Sequence, residues 1–148
     1  MGQSLGVVMP IRPENRALYP ADWTAIRRRI RHERAGNRCE RCKAPNHHVV
    51  ARETNGSSYM LMDGRVYCAD TGEALGWAKG SEYPLGRMVK IVLTVAHLDH
   101  DPTNNADENL QALCQRCHLR HDHAHHQANA AATRRARKAG ADLFAAAP

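Results

Sequence analysis

The spacing of apolar positions changes along the chain, and each change predicts an element. In YPADWTAIRRRIRHERAG, Trp23, Ile26 and Ile30 recur at i, i+3 and i+7, so a helix is expected from Pro20 to Gly36. Pro20 suits a first turn, Asp22 suits the positive helix end, and Gly36 suits the stop. Residues 1–19 hold Pro and Arg without a period and predict an extended arm. Residues 48–88 shift to short runs, SSYMLMDGRVYCADTGEALG, broken at Asp63–Gly64 and Thr71–Gly72. Those dipeptides are turn signals, so a β-rich insertion with a hairpin is expected. VKIVLTVAH is strongly β-branched and predicts one strand ending near His97. LDHDPTNNADEN is a polar loop, and LQALC a short second strand. From Gln115 the chain turns helical through CHLRHDHAHHQANAAATRRARKAG, and ADLFAAAP is expected to fray.

Chain length and cysteine spacing sharpen this picture. The 148 residues suit one domain with appendages, and aromatic residues make up only 5%. So thin a core calls for a staple. Cys39 and Cys42 form one C-x-x-C knuckle, and Cys114 and Cys117 form another. Four thiolates in two such knuckles are a tetrahedral zinc set. Arg38, Arg41 and Arg116 offset its negative charge. The long separation between knuckles again requires an insertion. Cys68 has no assigned chemistry. The opening residues MGQSLGVVMP lack a secretory pattern, and Gly6 stands where myristoylation needs Ser or Thr. No run is long enough to span a membrane. A cytoplasmic protein with reduced cysteines is expected.

Charge then points to a partner. The formal net charge is +6 and the pI about 9.4, which favours a polyanion, nucleic acid before an anionic membrane. Ten basic residues face four acidic ones between Arg12 and Lys43. Arg27, Arg28, Arg31 and Arg34 lie on the expected helix, and Arg134, Arg135, Arg137 and Lys138 form a second cluster. Both are candidate phosphate-contacting surfaces, although a charge run is also what a solvated face looks like.

Strand, polar loop, short strand and helix carry His97, Asn109 and His118 in AHLDHDPTNNADENLQALCQRCH. Asn109 follows His97 by twelve residues and precedes His118 by nine. With the NL after Asn109 and His118 directly after the second knuckle, this resembles the HNH endonucleases, the ββα-metal nucleases. The RPENR…YP…W stretch before the first knuckle is similar to small phage and prophage members. The resemblance covers roughly residues 10–45 and 88–140.

It implies an α+β fold: a ββα-metal core at 89–130 stapled by the four-cysteine zinc site. The basic helix and first knuckle at 20–47 precede it, with the insertion at 48–88 and a basic tail at 131–148. It also implies divalent-metal-dependent cleavage or nicking of DNA in a bacterial host cell, with phage packaging or genome-processing proteins as further partners. His97 would be the general base, His118 a ligand of a catalytic Mg²⁺, Mn²⁺, Ni²⁺ or Zn²⁺, and Asn109 the residue that ties down the loop. One position departs from the pattern: Ala96 stands where many members have a ligand. Asp99, just past His97, and Asp122, one helical turn beyond His118, are the candidate replacements. A shifted register would make Asp99 the ligand and His100 the base. Alternatively, Ala96 marks a DNA-binding module that does not cut. HDHAHH, from His121 to His126, reads as a polar helix face near phosphates, with a metal-sequestering tract as the alternative.

Overall fold

The computed structural model describes residues 11–78 and 87–145. Residues 1–10 of the expected arm, 79–86 of the insertion and the last three residues of the expected frayed end lie outside them. The chain divides into two units, Met1–His118 and Leu119–Pro148. Antiparallel sheets and a C-terminal helix make it α+β.

In the first unit, Pro13–Leu18 is a 3-10 helix, which corrects the expected extended arm over those residues. Pro13 fixes φ at the first position, where its missing N–H costs no helical bond. The basic helix begins later than expected: α1 spans Trp23–Arg28, and Pro20 and Asp22 form the turn before it. It continues as a π-helix over Arg29–Arg34, marked by the Ala35 N–H bonding Ile30 O at 3.0 Å. Gly36, at φ +59°, turns the chain out of the helix.

The insertion folds into strands β1 (Val49–Arg52), β2 (Ser58–Leu61), β3 (Arg65–Cys68) and β4 (Ala74–Trp77). The turns fall at Asp63–Gly64 and Thr71–Gly72, as expected. With β5 (Met88–Lys90) they form an antiparallel sheet of order β4-β3-β2-β1-β5.

The run VKIVLTVAH is not one strand. β5 ends at Lys90, and β6 (Thr94–His97) pairs instead with β7 (Leu110–Leu113) in a separate hairpin. Between them Ile91 and Leu93 are buried, and distant side chains serve the backbone in place of a ladder. The Val92 N–H donates to Gln115 Oε1 at 3.1 Å, and the Leu93 N–H to Asn46 Oδ1 at 3.0 Å. These bonds let the chain change sheets without orphaned donors.

The hairpin separates two apolar clusters. Ala96 and Leu113 join Val50, Tyr59, Ile91, Leu93 and the four knuckle cysteines on one side. Val95, Leu110 and Ala112 pack with Trp23, Ile26 and Ile30 on the other. Alternation along β6 sends successive side chains to opposite faces.

Helix α2 spans Gln115–Ala145 without a break, so the basic residues expected in a separate tail at 131–148 continue the same helix up to Ala145. The alanine-rich stretch after Gln127 has high helix propensity and contains no proline until the chain's last residue. In the second unit no residue from 119 to 141 is buried. No helix among the described residues is long and apolar enough to cross a membrane.

Candidate metal centre and polar loop

Cys39, Cys42, Cys114 and Cys117 are all buried, and their sulfurs lie within 4.8 Å of one another. Cys42 Sγ and Cys114 Sγ are 3.6 Å apart. Four ligands at a zinc–sulfur distance of about 2.3 Å on a tetrahedron would stand about 3.8 Å apart, so the donor set fits a metal ion of that kind. Hydrogen bonds from Cys114, Cys117 and Cys42 hold Cys39 well below the usual thiol range. The same kind of contact, from Cys114 first, pushes Cys42 well above it. A bound cation would relieve that conflict by favouring every thiolate.

Three contacts bind the surroundings to this cluster. Buried Tyr59 donates its hydroxyl to Cys42 O at 2.7 Å. Arg116, inside the second knuckle, donates to Ala69 O at 2.7 Å and Gly56 O at 3.0 Å. Gly72, at φ +74°, lies so close that a Cβ would stand 2.6 Å from Cys42 O. The insertion therefore packs on the cysteine cluster.

Arg34 ties the first knuckle to the hairpin. It clasps the Glu40 carboxylate at 2.9–3.0 Å, donates to Asp107 O at 2.7 Å and donates to Leu110 O. Glu40 Oε2 accepts the Ala112 N–H at 2.6 Å. Arg29 pairs with Asp107 at 2.6 Å. Of the four helical arginines expected to meet DNA, Arg34 is thus engaged within the fold and Arg28 is exposed. Arg27 and Arg31 are half-buried. Arg134, Arg135, Arg137 and Lys138 are exposed on α2 in the second unit.

Between β6 and β7, residues 98–109 form a closed polar network centred on Asn109 and Asp99. Asn109 Nδ2 donates to Asp99 Oδ1 and to Asn104 O, each at 2.8 Å. The Asp99 N–H returns a bond to Asn109 Oδ1 at 3.1 Å. Asp99 also accepts from Asn104 Nδ2 and the Asp101 N–H, both at 2.8 Å. These donors, Asn104 first, hold the Asp99 carboxyl down at about 2, so it stays ionised throughout the neutral range. Sequence reasoning missed Asn104 and Asn105. The density of Asn and Asp in the loop was the available signal, since both residue types bond nearby backbone.

His97 ends β6 on the α1 side. Its ring stacks on Trp23, centroids 5.1 Å apart at 19°, with Tyr19 edge-on at 5.8 Å. Only 9% of the residue is exposed. His97 Nε2 meets Asn105 Oδ1 at 3.0 Å. The amide nitrogen of Asn105 is engaged with Pro102 O and Thr103 O, so its oxygen accepts and His97 Nε2 carries the proton. His118 Nδ1 meets Thr94 Oγ1 at 2.6 Å, and Thr94 is paired with Leu113 on the opposite side of the hairpin from His97. Ala96 is buried among apolar residues and cysteines, where an ionised side chain would lose its hydration.

The structure thus brings Asn109 to Asp99, and directs His97 and Thr94, the partner of His118, to different faces. Within the first unit, no set of three or more metal-ligating side chains includes Asp99 or His118 among the described residues. Asp122 belongs to the second unit, where it faces His126 at 3.9 Å. No family model, curated protein or solved structure matches the chain.

Proposed function

We propose that the four thiolates hold a structural zinc ion and that the protein is a divalent-metal-dependent endonuclease of HNH type acting on DNA. The observation that carries this reading is the Asn109 clamp. One side chain closes a twelve-residue polar loop between two paired strands, immediately before the knuckle and helix that carry His118. In this reading His97 takes a proton from water as the water oxygen attacks phosphorus, and the bond from phosphorus to the 3′-oxygen breaks, the leaving 3′-oxygen taking a proton from solvent. Asn109 holds the loop in place. A divalent cation, when bound, would neutralise charge on the phosphate, with His118 as the ligand that the resemblance implies. Arg28, with Arg134, Arg135, Arg137 and Lys138, would contact the strand backbone. Arg34 serves as framework in this proposal.

A second reading has its own support. His97 lies beneath Trp23 and Tyr19, and Ala96 faces the core, which favours a zinc-stabilised DNA-binding protein that does not cut. Incubation with supercoiled plasmid and Mg²⁺, Mn²⁺ or Ni²⁺ separates the two. Nicked or linear product that disappears with chelator supports the nuclease. Plasmid left intact with every metal, by protein that retards it on a gel, supports the second reading.

A further inference from the structure

Arg27 and Arg31 stand one helical turn apart and line a cleft of about 220 Å³ together with Tyr19, Trp23, His47 and Thr94. The Nε atoms of both arginines are buried without a hydrogen-bond partner. Neither guanidinium makes an ion pair among the described residues, in contrast to Arg29 and Arg34 on the same helical segment. Like charges at this spacing repel, and burial strengthens the effect. Burial, and then the charge of Arg27, depress the proton affinity of Arg31. A half-buried pair of guanidinium groups with orphaned donors is costly unless an anion completes it. The cleft has room for an oxyanion and several waters, at about 30 Å³ per water.

We propose that Arg27 and Arg31 form a seat for one phosphate group of a nucleic-acid strand. The guanidinium fork matches the geometry of phosphate oxygens, which can accept from two arginines at once. The concentration of basic residues between Arg12 and Lys43 favours a polyanion over a lone carboxylate. The cleft borders Trp23 and Tyr19, the rings that cover His97, so a phosphate held there lies beside the polar loop's entry strand. This inference rests on the nucleic-acid reading above, but it does not require that the strand be cut.

The test uses the full zinc-loaded chain with no other divalent ion added. Binding to a fluorescent duplex is measured over a salt series for wild type, R27Q/R31Q and R65Q, the last an exposed arginine paired with Asp63 on the insertion. The double variant is expected to bind about tenfold to a hundredfold more weakly, with the salt slope reduced by about 1, while R65Q matches wild type. Removing an unpaired half-buried charge is also expected to raise its melting temperature in anion-poor buffer. Inorganic phosphate is titrated separately, following the side-chain N–H resonances of Arg27 and Arg31. If phosphate shifts them but the double variant binds duplex like wild type, the cleft is a free-anion site and the strand proposal is overturned. Equal duplex binding with no phosphate response overturns it as well. Should R27Q/R31Q fail to fold, R31K makes the same comparison with charge retained and the fork lost. Wild type that does not bind duplex at all removes the nucleic-acid reading itself, which distinguishes that failure from failure of the cleft alone.

Discussion

The second cysteine knuckle and the 98–109 loop lie at opposite ends of the same short hairpin strands and are held by different physics. Around the cysteines, buried apolar side chains, a buried tyrosine and a glycine in backbone contact leave little freedom. In the loop, position is fixed by hydrogen bonds among mostly exposed Asn and Asp side chains. A packed region transmits every lost methyl or ligand to the whole fold. A hydrogen-bonded loop can be loosened while the fold survives. The chain thus keeps its overdetermined part at the cysteine cluster and its adjustable part where the candidate chemistry lies.

The sharpest break in that contrast is Cys114→Ser. Structural zinc contributes about 10–16 kcal/mol in small zinc-dependent folds, so loss of one thiolate should remove both the metal and cooperative unfolding. Elemental analysis alongside calorimetry checks this, and a variant that unfolds like wild type would mean the cluster is not a staple. Gly72→Ala should come next, at about 2–4 kcal/mol, because the residue combines positive φ with a Cβ-to-carbonyl clash at the knuckle. A denaturant midpoint unchanged by this substitution would show that the insertion does not brace the cluster. Tyr59→Phe should cost about 1–2 kcal/mol by leaving Cys42 O without its buried donor. Asn109→Ala should have the smallest effect on global stability, about 1 kcal/mol, yet speed amide exchange across 98–105. If instead it unfolds the protein as Cys114→Ser does, the loop is not the separable region described here.

The sequence made the local parts of this arrangement legible. The two C-x-x-C spacings identified a buried four-sulfur cluster, and turn dipeptides located the β2–β3 and β3–β4 connections. The polar loop between β6 and β7 was evident from composition alone. What stayed hidden depends on partners distant in sequence. Nothing within VKIVLTVAH shows that Asn46 and Gln115 interrupt it. The helical period places Arg27, Arg31 and Arg34 without showing that Arg34 is clasped by Glu40 while the other two line a cleft. For the candidate site, the sequence singled out His97, Asp99, Asn109 and His118, and the structure adds Asn104 and Asn105 and the bonds that tie them to Asp99, Asn109 and His97. That His97 packs beneath Trp23 required the docking of α1 on the hairpin.

The central functional claim is that His97 acts as the base beside this loop. It is tested most directly by plasmid cleavage with wild type, His97→Ala and His100→Ala, each confirmed to retain zinc and duplex binding. The account predicts that His97→Ala slows cleavage by about 10²–10⁴-fold while His100→Ala still cuts. Cleavage by His97→Ala at the wild-type rate, with His100→Ala inactive, would contradict it and move the base three residues along the chain.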